Sequence, residues 1–454
     1  MVYTVSMRQE ILGDEGRKGS EWKGLLLTFI ASIPFFTHGL ETTALFASSH
    51  GGHFIRSAEP VPWNATILIA AAAVTAPVYC WLVDRFGRKL GIFVTMFVQG
   101  ASCLTVYSPP TEISTYIIHA LAGVSTGGLF TVIPIYIMEV NSIASKWSLS
   151  LMMLMTTVGY LMKIALGEEV MLYLMTALVI AQLMSVMFLL ESPSYLVKAK
   201  KFEEAKSNLA SLKCLQEDDL NLNKELQNLK DESFRARAHG SLSLISIQRN
   251  LIWRDATKIS ILLTTTMVLC GSIIFLDQDL TLMQLKLVSD PDKMLVLVSL
   301  CSGSLCTVLL IKFVEKKYLL TIGFLIMVLS MGILAVYTQA DLTVTSLRWL
   351  PVVALGFLVF GFGISWLLPT IISLEMFNFE IRATMIGAIF VYAQIIKLIQ
   401  LHAYPYIADY MGIYTLFYVF SGVNLYGCVY GFFIVPDLRA KTIRQVEKQL
   451  KRIP

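Results

Sequence analysis

The sequence predicts an all-α membrane protein whose twelve transmembrane helices pack as two six-helix bundles, and three observations lead there. Of its 454 residues, 56% are hydrophobic and only 15% charged, with a mean hydropathy of +0.66. Soluble domains run about 45–50% apolar and about 25% charged. Apolar runs of about 20 residues, the length that crosses a hydrocarbon core about 30 Å thick, recur twelve times. One long polar stretch, residues 191–256, parts them six from six. Disordered and disulfide-scaffold classes are excluded by the same composition. The seven cysteines have neither paired nor metal-binding spacing.

The expected spans are 24–46, 65–83, 90–107, 114–138, 148–166 and 170–190 in the first half. In the second they are 257–277, 293–312, 318–337, 349–373, 384–403 and 413–435. Each must be helical, because a backbone in lipid has to satisfy its polar groups within the segment. No short apolar region with a small-residue cleavage site precedes the first span, which is therefore read as retained. Most of the 36 Lys and Arg fall in segments on one side of this layout, and the positive-inside bias puts that side, with both termini, in the cytoplasm.

The chain thus divides into an N-terminal bundle (1–190), a cytoplasmic loop (191–256) and a C-terminal bundle with its tail (257–454). In the loop, Leu209, Leu212 and Leu215, then Leu220, Leu222, Leu226 and Leu229, recur at helical spacing between charges. Short amphipathic helices are expected there.

Charge pairs mark the cytoplasmic ends of the spans. Asp84-Arg85-Phe86-Gly87-Arg88-Lys89 fills the reversal between spans two and three, where Gly87 suits a tight turn. Its charges anchor the membrane edge, and Asp84 can also face the positive N-terminal end of a helix in the other half. Glu139 precedes Lys146 by seven residues at the end of span four, and Glu375 precedes Arg382 by seven at the end of span ten. Glu191-Ser192-Pro193 opens the central loop, and Pro436 to Thr442 follows the last span. A single surface pair contributes only about 0–1 kcal/mol, but four clusters at corresponding places suggest an ion-pair lattice between bundles. Asp84, Arg85, Arg88, Glu139, Lys146, Glu191, Glu375 and Arg382 are the expected gating residues.

With these motifs in place the chain resembles the sugar porter family of the major facilitator superfamily. Cys80 to Lys89 matches that family's Gly-x-x-x-Asp-Arg-x-Gly-Arg-Arg/Lys except at the first glycine. Pro134-Ile-Tyr136-Ile-Met-Glu139 is similar to its P-x-Y-x-x-E, and Glu191 to Leu196 to its P-E-S-P-R-W-L. Glu375-Met-Phe377 through Arg382 is similar to its E-L-F-P-x-x-x-R, and Pro436 to Thr442 to its P-E-T-K-G-K-T. Within the family, Trp63 and Ala76-Pro77 look most like the facilitative trehalose and hexose carriers of insects. The resemblance implies the major facilitator fold and a sugar carrier that works by alternating access. Its substrate would sit near the midplane between the halves.

Departures gather where such a carrier binds sugar. The family's span-four arginine is His119 here, followed by Gly123 and Gly127. The loop between spans eight and nine reads Lys312-Phe-Val-Glu315-Lys316-Lys317, so the second gating motif is weakened or differently wired. Positions that carry glutamine, asparagine and tryptophan in the family are Met153 or Leu154, the segment Met267 to Ile273, Thr370 and Ala393. Losing amides that pair sugar hydroxyls is costly.

The ionisable and polar residues within spans are the candidate substrate contacts. Glu41, His119, Thr156, Thr157, Thr370, Tyr392, Gln394 and Lys397 make up this set. Lys397 is too deep for easy snorkelling and is expected to face the cavity or a carboxylate. For His119 a satisfied core position competes with pairing to an acid, and threonines in spans often bond their own backbone. The Asn64-Ala65-Thr66 sequon abuts span two.

No nucleotide loop, nucleophile–base arrangement, metal cluster or nucleic-acid motif is present in the sequence. An enzyme is not expected, nor a cofactor or metal. The expected partners are a small-molecule substrate, a sugar by the resemblance, and the lipid bilayer, with the plasma membrane as the expected site. A proton-coupled or non-sugar carrier, prompted by Glu41 and Lys397, and a transport-poor sensor remain as alternatives.

Overall fold

The structure is a computed structural model that describes residues 20, 22–51, 63–105, 107, 109, 111–140, 147–166, 168–238, 250–272, 290–340 and 349–438. The first bundle holds α1 (Trp22–Gly51), α2 (Trp63–Phe86), α3 (Arg88–Thr105), α4 (Glu112–Val140), α5 (Ser150–Ala165) and α6 (Glu168–Ser185). The loop carries α7 (Pro193–Lys198), α8 (Phe202–Lys213) and α9 (Leu220–Ala238). The second bundle holds α10 (Leu251–Val268), α11 (Asp290–Leu310), α12 (Lys316–Gln339), α13 (Trp349–Ser365), α14 (Leu368–Met376), α15 (Phe379–Met411) and α16 (Ile413–Phe433). Among the described residues, eight segments are long and apolar enough to cross a bilayer. The shorter α5 and α11 and the more polar α3 and α10 complete the twelve.

Span ten differs from expectation. It breaks between α13 and α14, at Trp366 and Leu367, where Pro369 enters the first turn of α14. Proline lacks the N–H that would continue the ladder and suits a helix start. A second break at Phe377-Asn378 frees Asn378 to cap α15, its side chain accepting the Glu380 N–H at 3.0 Å.

Within each bundle, close packing rests on glycine. A Cβ at Gly123 of α4 would lie 2.3 Å from the Leu68 carbonyl oxygen of α2. In the second bundle a Cβ at Gly363 of α13 would lie 2.6 Å from the Leu300 carbonyl oxygen of α11. Only a residue without a side chain lets these backbones touch.

Between bundles, α2 lies along α15 and α5 along α11. At the end of the first seam away from the loop helices, Thr66 Oγ1 and His402 Nε2 are 3.3 Å apart. The loop helices bury their apolar faces as amphipathic helices do. Leu196, Val197, Ala205 and Leu226 pack on Phe379 at the start of α15, which ties the loop to the second bundle.

Candidate functional site

At the end that carries the loop helices, the spanning helices converge on one ion-pair lattice. Gly87, at φ +111°, turns the chain from α2 into α3 and sets Arg88 at the start of α3, fully buried. Arg88 Nε donates to Glu139 Oε2 at 2.8 Å and Nη2 to Glu139 Oε1 at 3.0 Å, the bidentate geometry that suits a guanidinium. Its Nη1 donates to the Val83 carbonyl at 3.1 Å and stands 3.6 Å from Asp84. Glu139 accepts a further bond from Ser192 Oγ at 2.6 Å. Arg382 of the second bundle approaches Glu139 at 3.8 Å, so this carboxylate joins the halves.

Glu191 seals the N-terminus of α3. It accepts the N–H groups of Arg88 at 2.9 Å, Lys89 at 3.2 Å and Ser192 at 3.0 Å, an anion where free N–H groups and the helix dipole favour one. Burial pushes the Glu191 carboxyl above its ordinary range, against the pull of these N–H groups and Arg88.

Asp84 meets the other half through a lysine. Lys198 Nζ donates to Asp84 at 2.9 Å and to the Glu380 carbonyl, in the first turn of α15, at 2.9 Å. Arg237 of α9 holds the Glu380 carboxylate at 3.1 Å. Asp84, Arg85, Tyr195, Lys198, Arg237 and Glu380 surround a pocket of about 420 Å³ at this seam.

Two expectations about this lattice are corrected. Glu375 does not pair with Arg382; it pairs with Lys316, while Arg382 Nε donates to the Leu374 and Phe377 carbonyls at 3.1 and 3.2 Å. The break at Phe377-Asn378 puts the two on different helices. Lys316, in the loop that departs from the gating pattern, thus serves Glu375 as Arg88 serves Glu139. Arg85 is exposed and lies over the Trp81 and Phe86 rings at 5.6 and 5.7 Å rather than in the lattice. Lys146 lies outside the described residues. Lys198, Arg237 and Glu380 were not singled out in the sequence, and Lys316 was named only as part of a departing loop, because a charge in a polar segment carries no mark of its partner.

Near the middle of the helices the halves meet through aromatic rings. Phe130 of α4 is the hub: it meets Trp366 at 6.1 Å, Phe390 of α15 at 6.3 Å, and His38 of α1 at 5.7 Å. Lys397 lies two turns along α15 from Phe390, and its charge acts on His38.

The remaining candidates scatter. Thr156 and Thr157 donate to Met152 and Leu154 carbonyls in their own helix. His119 Nδ1 bonds the Thr115 carbonyl oxygen at 2.8 Å rather than an acid. Tyr392 shares a 2.8 Å bond with Thr265 of α10. Thr370 is half-buried and Gln394 buried. Glu41 is buried beside Gln99 and Ser102 of α3, with no hydrogen bond to either carboxylate oxygen. Among the described residues no group of His, Cys, Asp and Glu could hold a metal ion.

The model of one protein family, described as sugar (and other) transporter, matches residues 42–450. The chain belongs to this family. Among the relatives of this family member, the glucose transporter GlcP of Staphylococcus epidermidis is 25% identical over 399 residues, covering 82% of this chain and 84% of that one. Human solute carrier family 2, facilitated glucose transporter member 5, is 24% identical over 396 residues, covering 81% and 76%. The proton:xylose symporter XylE bound to 6-bromo-6-deoxy-D-glucose matches with a TM-score of 0.77 at 16% identity, covering 95% of this chain and 100% of that one. XylE from E. coli in its inward open conformation matches with 0.65 at 16% identity, covering 94% and 99%. These likenesses show the fold: this sugar transporter family member is a multi-pass membrane protein with the twelve-helix major facilitator fold.

Proposed function

We propose that the protein is a facilitative sugar transporter that works by alternating access, latched on the cytoplasmic side by the lattice around Glu139. The observation that carries this reading is the Glu139 carboxylate, which is shared by Arg88 of one bundle and Arg382 of the other. A charge buried this fully is stable only while its partners hold it, so separating the bundles on this side must break the contact. The family's relatives, which include glucose transporters and a xylose symporter, support a sugar as substrate. The arrangement favours the substrate between the halves, with no nucleotide or cofactor. The positive-inside bias supports cytoplasmic termini and loop helices, and we place the protein in the plasma membrane.

Uptake into proteoliposomes tests this directly. Sugar flux that is the same with and without a proton gradient supports facilitation. Flux that requires the gradient favours the second reading, a proton-coupled carrier, which the buried and unbonded Glu41 carboxyl prompts.

A further inference from the structure

Lys397 occupies an unusual position. It sits mid-way along α15, a helix whose lipid-facing side is marked by the exposed Ile395, Ile399 and Tyr406. At 3.6 residues per turn, Lys397 falls on the opposite side, in line with Ile386, Phe390 and Ala393, which point inward and are buried or half-buried. Lys397 is nevertheless exposed. An exposed side chain on the inner face of a central helix lines open space between the bundles rather than lipid.

Nothing described neutralises it. Among the described residues no carboxylate forms an ion pair with Lys397. Glu41, a buried acid of α1, packs toward Gln99, Ser102 and Cys103 of α3. The titratable groups on which the Lys397 charge bears are His38 of α1 and Cys270 at the end of α10, neither of them an anion partner. Two turns away on the same face stands Phe390, stacked on Phe130 of α4, which in turn meets Trp366.

An unpaired cation within a membrane-spanning helix is costly and marks a substrate path. That cost is met by an anion set against Lys397 whose ring packs toward the aromatic residues two turns along α15. The amides that pair neutral sugar hydroxyls are absent from the matching positions, where Met153, Leu154, Met267 and Ala393 stand.

From this geometry we infer that the substrate is an acidic monosaccharide, a sugar carrying a carboxylate, bound between the halves with its anionic group on Lys397. This rests on the sugar-transport reading and narrows its substrate class. The carboxylate meets Lys397 from the open space at mid-depth. Phe130 and Phe390 supply the apolar face for the ring.

The test uses the full chain in proteoliposomes and two radiolabelled probes with the same ring, D-glucuronate and D-glucose. They differ only in a carboxylate against a hydroxymethyl group. The wild type is expected to take up glucuronate at least tenfold faster than glucose at equal concentration. Lys397→Met is expected to lower the ratio of glucuronate to glucose uptake at least tenfold, and Lys397→Arg to keep most of that ratio. Variants are compared only as monodisperse protein, so a folding failure is separated from a binding loss. Glucose uptake equal to or above glucuronate uptake, or a Lys397→Met variant that keeps the preference, overturns the inference and leaves sugar transport standing. Flux of neither probe, from correctly folded protein, overturns both.

Discussion

Arg88 and Glu139 face each other in a two-pronged ion pair, at 2.8 and 3.0 Å, with both side chains shut off from water. Fifty-one residues apart in the chain, they fix the start of α3 to the end of α4, and through Arg382 they reach the other bundle. Removing one partner of a buried pair costs about 3–5 kcal/mol because the other charge is left stranded. Arg88→Ala should therefore lower stability by about this amount and, by releasing Glu139 from its place beside Arg382, shift the resting population toward the inward-open form. Faster alkylation of single cysteines placed on the cytoplasmic side is the expected readout, and an unchanged alkylation rate counts against the latch.

The C-terminal pair should behave as a pair of its own. In a double-mutant cycle, Lys316→Ala with Glu375→Ala is expected to show a coupling of about 1–3 kcal/mol, the range for residues in direct contact. The cycle of Glu375→Ala with Arg382→Ala should show a smaller coupling, because Arg382 bonds the Leu374 and Phe377 carbonyls rather than the Glu375 carboxylate. Chemical denaturation in detergent provides the measurement, and strong coupling in the second cycle contradicts the partners assigned here.

At the turn between α2 and α3, Gly87→Ala should be poorly tolerated. A left-handed backbone costs an L-residue about 1–2 kcal/mol, and the new Cβ would lie 2.4 Å from Glu191 Oε2. The expected result is a lower Tm and faster cytoplasmic alkylation, because Glu191 is driven off the N-terminus of α3. Wild-type values for both properties are not compatible with this turn.

Two glycines of the C-terminal half should respond in opposite ways to alanine. Gly363 touches the backbone of α11, whereas a Cβ at Gly332 of α12 would meet nothing within 4 Å. Gly363→Ala is expected to lower the Tm and reduce uptake. Gly332→Ala is expected to hold or raise the Tm, since alanine favours helix by about 0.5–1 kcal/mol over glycine. Thermal unfolding of the two variants side by side decides the matter.

The spans and the six-plus-six division are legible in the sequence because a bilayer demands long apolar runs, and hydropathy records them without knowledge of packing. The acids of the lattice are legible for a similar reason: Asp84, Glu139, Glu191 and Glu375 interrupt apolar sequence at span ends. Their partners are less so. A spacing of seven residues implies one helix face only if the helix continues, and the break at Phe377-Asn378 sends Arg382 elsewhere and leaves Glu375 to Lys316. The aromatic wall of Phe130, Phe390 and Trp366 carries no sequence signal, because in a span the residues facing lipid and those facing the interior are alike apolar. Lys397 stands out in the sequence by its charge, but only the placement of Ile395 and Ile399 on the far side shows that it faces inward.

In the proposed mechanism the shared Glu139 carboxylate holds the two bundles together on the cytoplasmic side. Electron–electron spin distances between labels at Phe86, which ends α2, and Phe313, between α11 and α12, measure that separation across the bundles. Both residues are exposed. A single short distance in the wild type that lengthens by several ångströms in Glu139→Gln is the predicted result; the same distance distribution in both proteins contradicts it.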